Sequence, residues 1–400
     1  MAPLRGVLYD TSVAGPLDRL LSPPYDVISP AEREALFALS PYNSARLILP
    51  GTDYEGAAAL YGDWSARGVL KRDAQPAIYR YEQVFDGITR TGFICGVRLR
   101  RFDERVVLPH ERTMSAPKAD RLKLWRACRA IASQIFGLYS DPSGETALPA
   151  SGPPELSGRT ADGTEHRFWR IIDPAVHARL AQAFAERRVY IADGHHRYET
   201  MLALREEFSG LQFGPFFLMR FEDPGLRVLA THRVLFGLPS FSLNSFLEAA
   251  RAWFTVAPGA PDGVVDELAR RGKDAPTIAV ASGIELWFLS LRNDADLGHL
   301  PVAPVLRRLD VTLLHALLLE GVLGIDKSAQ EKQTNLRYLR DPAAALREAR
   351  GAQAAFLLNP TRLEDLRAAA DAGEVLPQKS TYFFPKIASG LVIMPVDAIV

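Results

Sequence analysis

The stretch most able to do chemistry is ADGHHRYET, which follows a short apolar run. The apolar run predicts a buried strand over 189–192, and the residues after the stretch predict a helix over 198–208. Asp193 to Arg197 would then form a helix N-terminus, where backbone N–H groups and the helix dipole favour anions. Gly194 permits a tight turn, and the imidazoles and guanidinium add donors for phosphate oxygens. The pattern predicts a phosphate or nucleotide site.

Two other interpretations of this turn stay open. A transition-metal site is disfavoured because the adjacent His195 and His196 diverge and the H-E-x-x-H spacing is absent, although His195 could meet Glu199 one helical turn later. A capped structural turn is the stronger alternative, because Asp193 is a good N-cap residue.

A second polar cluster lies in LPHERTMSAPKADR, between a predicted strand and a predicted helix. His110 or Glu111 could act as a general base there, beside Arg112 and Lys118 as cationic phosphate ligands. A polar loop without a ligand is the alternative interpretation.

Two further motifs could contribute to the same site. In PPYDVIS, Asp26 stands in apolar company, which requires a partner, a capping role or a site role as a Mg²⁺ ligand or proton acceptor. In PQKSTYFFPK, Lys379, Ser380 and Thr381 offer an ammonium and two hydroxyls, but the glycine-rich frame of a P-loop is missing.

Composition narrows the class of protein. The 400 residues include 47 basic and 47 acidic side chains, so no broad surface for nucleic acid or anionic membrane is expected. The longest apolar runs are shorter than the ~20 residues that span a bilayer, and the first residues lack the pattern of a signal peptide. Cys95 and Cys128 are interpreted as small buried hydrophobic residues. A cytoplasmic protein is expected.

The order of predicted elements favours an α+β fold, with mixed sheets and packed helices. Ser29-Pro30 predicts a helix start, and Asp86-Gly87 predicts a hairpin turn. Further helices are expected from about Pro117 to the Ala132 region and over 310–323. The expected parts are 1–140, 141–240 and 241–400, with a tail at 376–396 that returns to the core.

Taken together and in this order, the motifs resemble the bacterial and archaeal domain of unknown function family 1015. The resemblance rests on PPYDVIS, HERT…DR, ADGHHRYET and KSTYFFPK…GLV, with AAFLLNPT at 354–361. It implies a cytoplasmic protein without an established activity.

A more distant resemblance bears on the chemistry. GHHRYET is similar to the GCHRYEA signature of sulfiredoxin and to the helix-start motif of the ParB superfamily, which includes a free serine kinase with a D-G-H-H-R-type motif. The resemblance implies a ParB/sulfiredoxin-like core in which Gly194, His195, His196 and Arg197 hold phosphates and Asp193 lies beside the transferred group. His195 stands where sulfiredoxin has its reactive cysteine, so sulfinic acid repair is not expected.

These observations lead to one leading hypothesis. We expect a nucleotide-dependent phosphotransferase acting on a small hydroxyl metabolite, with free serine the first candidate, ATP or ADP (or another nucleotide) and Mg²⁺ as cofactors, and a homodimer left open. The residues expected in catalysis are Asp26, Glu111, Asp193 and His196. Those expected to bind the nucleotide are Arg112, Lys118, Gly194, His195, His196, Arg197, Lys379, Ser380 and Thr381, with Asp26 and Asp193 at the metal. The alternatives are a nucleotide-binding sensor of the ParB type and a scaffold without catalysis.

Overall fold

The computed structural model describes residues 1–111, 113 and 115–397, without the side chains of 115–117. The chain forms two compact units. Unit 1 comprises Met1–Pro109, Thr113–Leu226 and Pro385–Val400, and unit 2 comprises His110–Arg112 and Arg227–Phe384. Unit 1 is therefore discontinuous in sequence.

The described part of unit 1 contains a mixed eight-stranded sheet with two small antiparallel pairs. Across the large sheet the strands run in the order Val107–Leu108, Val189–Asp193, Ile135–Tyr139, Phe213–Arg220, Ile88–Arg98, Ile78–Phe85, Glu165–Ile171 and Leu156–Arg159. Its first and third pairs are parallel and the others antiparallel. The small pairs join Val7–Tyr9 to Leu70–Arg72 and Ala130–Ile131 to Met394–Pro395.

Four α-helices in the described part of unit 1 begin at a residue whose side chain caps the helix: Asp10, Ser29, Asp53 and Asp173. The α-helices are Thr11–Ala14, Pro30–Leu39, Ala45–Ile48, Tyr54–Ala66, Ser115–Cys128, Pro174–Ala183 and His195–Glu207, and the 3₁₀ turns are Leu17–Arg19, Tyr25–Val27 and Phe102–Glu104. The predicted start at Ser29 is confirmed, since Ser29 and Glu32 form a reciprocal capping box. The hairpin is confirmed as well: Asp86 and Gly87 have φ of 48° and 73°, as a type I′ turn requires.

Unit 2 contains an antiparallel six-stranded sheet among its described residues. The strands run in the order Phe254–Gly259, Glu285–Leu291, Thr277–Ser282, Ala354–Leu358, His232–Leu235 and Leu336–Leu339, and Arg227–Leu229 pairs separately with Tyr382–Phe384. The helices are Leu243–Ala250, Val264–Asp274, Asp310–Leu313, Lys327–Lys332, Pro342–Ala349 and Leu363–Ala372, with a 3₁₀ turn at Pro304–Leu306 and a π-helix at Leu314–Val322.

The fold is thus mixed α+β, which confirms the predicted class. Two helix predictions need correction. The helix expected to reach Ala132 ends at Cys128, because Arg129 takes a left-handed φ of 49° and a strand follows. The helix expected over 310–323 is α-helical only to Leu313 and then π-helical, a widening that apolar periodicity does not reveal.

Each unit has its own core of buried apolar side chains from its helices and strands. In unit 2 the leucines of the π-helix pack with the buried face of the sheet. In the part of the chain that the structure describes, no helix is long and apolar enough to cross a membrane.

Candidate functional site

The ADGHHRYET motif lies at a strand-to-helix turn of unit 1. The buried strand Val189–Asp193 runs between Val107–Leu108 and Ile135–Tyr139 in the sheet. Gly194 then turns the chain with a φ of 98°, a left-handed conformation that residues other than glycine rarely adopt. The helix His195–Glu207 follows, so His195, His196 and Arg197 form its first turn.

The structure corrects the capping role expected of Asp193. Gly194, not Asp193, is the N-cap residue, and glycine has no side chain that could cap the helix. Asp193 is the last residue of the strand, and its carboxylate is turned to cations instead. The interpretation of this turn as a structural turn capped by Asp193 is therefore wrong.

Two cations hold the Asp193 carboxylate. Lys386 Nζ donates to Oδ1, and Arg197 Nη2 donates to Oδ2 at 2.5 Å. Burial alone would raise the pKa of Asp193, but the charges of Lys386, Arg197 and His195 outweigh it and hold the pKa well below its usual range. A carboxylate with so low a pKa is a poor proton acceptor, which weighs against Asp193 as a catalytic base.

Arg197 is fixed in position at the start of this helix. It is only 3% exposed, and its Nη1 donates to the carbonyl oxygen of Gln134 at 2.5 Å. A Cβ atom on Gly194 would lie 3.0 Å from three atoms of the guanidinium group, so glycine is needed for space as well as for backbone conformation. Two cations facing one carboxylate at a helix N-terminus leave net positive charge, which favours an anionic ligand.

The two adjacent histidines differ in burial. His195 is 5% exposed, whereas His196 is only partly buried and its carbonyl oxygen accepts from Thr200 Oγ1 at 2.8 Å. Among the residues that the structure describes, no group of three or more His, Cys, Asp or Glu side chains could hold a metal ion.

Lys118 lies close to the same helix. Its ammonium pairs with the Glu199 carboxylate and lies 3.2 Å from Thr113 Oγ1, which itself donates to Glu199 at 2.8 Å. Lys118 thus already has an anionic partner, which a phosphate would have to displace. Arg112, predicted beside it, lies outside the described residues.

The PPYDVIS motif forms a 3₁₀ turn at Tyr25–Val27 in unit 1. The Arg121 guanidinium lies 4.2 Å from the centre of the Tyr25 ring and also bonds Asp120 and the Ile48 carbonyl oxygen. Burial, with a smaller contribution from Asp26, raises the pKa of Tyr25 to about 12, and the Arg197 charge opposes this rise. The turn therefore lies within electrostatic reach of the first helical turn after Gly194.

Asp26 itself differs from expectation in one respect. The apolar neighbours suggested a buried acid in need of a partner, but the side chain is exposed. Water can solvate it, so its presence needs no compensating cap or cation. Its role as proton acceptor or Mg²⁺ ligand stays a prediction.

The other predicted residues that the structure describes lie in unit 2, where two pairs of them are in contact. His110 Nε2 lies 2.8 Å from Thr381 Oγ1, and the Lys379 backbone N–H donates to Glu111 Oε1 at 3.2 Å. Ser380 is buried, and its hydroxyl donates to the Pro377 carbonyl oxygen at 2.5 Å. The convergence of these residues with those of unit 1 on one cleft stays a prediction.

Comparison with known proteins now identifies the family. The model of a family described as "Protein of unknown function (DUF1015)" matches residues 1–312. The chain belongs to this family. The DUF1015 match confirms the resemblance seen in the motifs, and the motifs at 354–361 and 379–386 lie beyond the matched residues.

The solved structures that resemble this DUF1015 chain do so with low sequence identity and low TM-scores. A free serine kinase variant in complex with ADP has 12% identity and a TM-score of 0.39, covering 72% of this chain and 87% of its own. SbnI from Staphylococcus aureus, truncated at its C-terminus, has 13% identity and a TM-score of 0.41, covering 76% and 87%. A conserved hypothetical protein from Pyrococcus furiosus has 14% identity and a TM-score of 0.39, covering 76% and 96%. No curated protein matches significantly. Similarity at this level carries no functional argument.

Sequence reasoning on this DUF1015 chain missed Lys386. The motif PQKSTYFFPK ends on this residue, but only the polar residues at its start were selected. The signal was available: Lys386 follows an aromatic and proline run, and a lysine in apolar company needs an anionic partner just as an aspartate does. That partner is Asp193.

Proposed function

We propose that this protein is a nucleotide-dependent phosphotransferase that acts on a small hydroxyl metabolite, with free serine the first candidate. The observation that supports the proposal most is the turn from Asp193 to Arg197. This turn and Lys386 together are called the phosphate cradle. Left-handed Gly194 opens a helix N-terminus on which Arg197 is fixed by Asp193 and Gln134. The cradle fits a phosphate group because the helix dipole and the two cations both contribute positive electrostatic potential there.

Each residue in and beside the phosphate cradle has its own proposed role. Arg197 and Lys386 set the positive charge, and Asp193 keeps both cations in place. His196, the less buried of the two histidines, is the side chain proposed to contact the phosphate. Lys118 would add charge once a phosphate competes with Glu199 for its ammonium.

Phosphoryl transfer asks mainly for positioning and charge neutralisation. The substrate hydroxyl oxygen forms a bond to the terminal phosphorus, the bond from that phosphorus to the bridging oxygen breaks, and the hydroxyl proton passes to a carboxylate. Exposed Asp26 is the proposed acceptor, with Glu111 as the second candidate. Bound Mg²⁺ would neutralise phosphate charge. Asp26 would hold it in the arrangement in which Glu111 takes the proton, and it fits the ion better than Asp193, whose two oxygens already accept from cations.

The test is a nucleotide titration and an activity assay on the full chain. We expect ATP or ADP to bind, by calorimetry, and O-phosphoserine to appear in phosphorus NMR spectra when serine and Mg²⁺ are added. His196→Ala should weaken nucleotide binding about tenfold through loss of a hydrogen bond to a charged group. His299→Ala, an exposed histidine of unit 2, is the matched control and should leave binding unchanged. If the wild-type protein binds neither ATP nor ADP, the proposal is wrong.

One observation favours a second function. The low pKa of Asp193 makes the cradle better suited to holding a phosphate than to moving a proton. A nucleotide sensor of the ParB type would bind tightly, hydrolyse slowly and give no product that depends on serine. Turnover that serine stimulates distinguishes the phosphotransferase from the sensor.

A further inference from the structure

Two polar side chains are buried at the centre of the large sheet of unit 1. Gln83 is 1% exposed and Arg90 is 0% exposed, and the two residues pair across the hairpin of Ile78–Phe85 and Ile88–Arg98. The proposed function gives neither of them a role. A buried amide and a buried guanidinium are costly unless hydrogen bonds satisfy them, so the groups that they contact indicate what they do.

Both side chains hold the backbone of the C-terminal segment. Gln83 Nε2 donates to the carbonyl oxygen of Lys386 at 2.9 Å, and Arg90 Nη2 donates to that of Pro385 at 2.6 Å. Arg90 Nη2 also donates to Gln83 Oε1, which leaves the amide nitrogen of Gln83 to face Lys386. One pair of buried side chains therefore fixes two consecutive carbonyl groups.

The backbone that is fixed in this way carries the ammonium of the phosphate cradle. The Lys386 side chain is 13% exposed, and its ammonium bonds Asp193 Oδ1. On one side of Lys386 the ring of Pro385 restricts φ, and on the other the side chain of Ile387 is only 5% exposed. A lysine side chain is a flexible four-carbon stem, so a fixed backbone limits where its ammonium can go.

Attachment of the C-terminal segment to unit 1 does not by itself account for these contacts. Backbone hydrogen bonds already join Ser389 to Ser22. Ile393 and Val7 bond each other in the same way. Backbone pairing of this kind requires no buried amide or guanidinium. The two buried side chains act instead at Lys386 and at the residue before it.

Arg90 is also electrostatically close to the phosphate cradle. Its guanidinium carbon lies 5.0 Å from the centre of the Phe136 ring, and Phe136 is the sheet partner of Asp193. Burial lowers the pKa of Arg90 to about 10, and the Asp193 carboxylate is among the charges that oppose this fall. Arg90 therefore stays positively charged at pH 7 and adds to the potential that favours an anion.

We propose that Gln83, oriented by Arg90, is a positioning residue of the phosphate cradle that keeps the Lys386 ammonium at Asp193. Gln83 acts through Lys386 rather than on the phosphate itself. Without the amide donor the Lys386 backbone can shift, the ammonium leaves Asp193 for part of the time, and the cradle loses positive charge. The inference rests on the proposed function for its ligand, a phosphate group, but not for the position of Lys386.

The test compares Gln83→Met with Gln330→Met, a matched substitution in unit 2. Gln330 is 7% exposed and its Nε2 donates to the Ile325 carbonyl oxygen at 2.7 Å, so each variant removes a buried amide that bonds the backbone. Acetic anhydride is added to the folded proteins, and mass spectrometry follows acetylation of each lysine, with exposed Lys71 as the internal reference. Lys386 should react about three- to tenfold faster in Gln83→Met, the value of one hydrogen bond, and at the wild-type rate in Gln330→Met.

A second measurement connects the position of Lys386 with ligand binding. Inorganic phosphate and ADP are titrated calorimetrically into the same three proteins. Gln83→Met should weaken the binding of both about three- to tenfold, and Gln330→Met should leave it unchanged. A purely structural role of Gln83 would lower the stability of both variants alike and would change neither Lys386 acetylation nor phosphate affinity.

The outcomes separate this inference from the proposed function. Lys386 acetylation that Gln83→Met leaves unchanged, or that Gln330→Met changes equally, overturns the positioning role whether or not the chain binds nucleotide. Binding of phosphate that Gln83→Met does not weaken overturns it as well. A wild-type chain that binds neither phosphate nor ADP contradicts the proposed function, and Lys386 acetylation then decides the positioning role alone. If Gln83→Met fails to fold, Gln83→Glu decides in its place, because it keeps an acceptor for Arg90 and lacks the donor to Lys386.

Discussion

Two aspartates with restricted access to water, Asp193 in unit 1 and Asp310 in unit 2, have pKa values displaced in opposite directions. Burial would raise the pKa of both, but Asp193 is held by Lys386 and Arg197 and its pKa is lowered. No lysine or arginine among the described residues forms an ion pair with Asp310. Burial raises its pKa to about 6, although a hydrogen bond from Asn359 Nδ2 at 3.1 Å and the charge of Arg362 lower it. The comparison teaches that partners, rather than residue type, decide whether a carboxylate inside this fold is charged.

The largest expected effect comes from removing the carboxylate of unit 1. Asp193→Asn leaves Lys386 and Arg197 without their counter-charge and should lower the free energy of unfolding by about 3–5 kcal/mol in denaturant titrations at pH 7. Because the folded pKa lies below the unfolded value, this contribution is present above about pH 4 and shrinks as the pH falls below it. Asp103→Asn is the control: Asp103 pairs with Arg101 on the surface, and its loss should change stability little. Equal effects of the two substitutions would contradict this account.

The opposite sign is expected in unit 2. Ionising Asp310 opposes folding, because its folded pKa of about 6 lies above the unfolded value. The wild-type chain should therefore lose stability as the pH rises from about 4 to 6, and Asp310→Asn, which keeps an oxygen for Asn359, should remove that loss. We expect a gain of about 1–3 kcal/mol at pH 7 and none at pH 3, measured by denaturant unfolding at both values. A loss of stability at pH 7 would show that Asp310 is charged and paired.

A smaller effect should separate backbone strain from ligand binding in the cradle. Gly194→Ala forces alanine to a φ of 98° against Arg197, and Gly163→Ala forces it to 84° in open space. Both should cost about 1–2 kcal/mol of stability for the left-handed conformation, and Gly194→Ala should cost more because its Cβ also crowds the Arg197 guanidinium. Only Gly194→Ala should also weaken nucleotide binding in calorimetric titrations. Equal nucleotide affinities of the two variants would remove Gly194 from the binding site.

The smallest effect concerns the ion pair beside the cradle. Glu199→Gln releases Lys118 from its half-exposed partner, at an expected cost of about 0.2–1 kcal/mol in stability. The freed ammonium should bind phosphate more readily, so nucleotide affinity should rise about two- to fivefold in the same titration. A fall in affinity would mean that Glu199, not Lys118, serves the ligand.

Local signals account for the parts of the fold that sequence could predict. The capping box at Ser29 and the turn at Asp86-Gly87 each depend on residues at most three positions apart. The cradle's placement after a strand was predicted for the same reason. The pairing of Lys386 with Asp193 was not, because the two residues are separated by 193 positions and nothing local indicates which distant charges meet.

Unit 2 contains a cavity of about 150 Å³ that was beyond sequence reasoning for a related reason. Its wall is assembled from segments spread over 301–378, and no motif joins them. Thr312 and His315 lie in a leucine-rich run whose pattern predicts an ordinary buried helix. The widened π turn and the unpaired polar atoms of this run are visible only in the structure.

The discontinuity of unit 1 has a consequence for how the protein is made. Its last segment, from Pro385, is synthesised after all of unit 2, yet Val7 bonds Ile393 and Met394–Pro395 pairs with Ala130–Ile131. The positive charge from Lys386 likewise reaches Asp193 only after unit 2 has been synthesised. A nascent or prematurely terminated chain that stops before Pro385 therefore exposes an incomplete unit 1 and an unfinished cradle, so binding of an anion there would report that the segment from Pro385 has been synthesised.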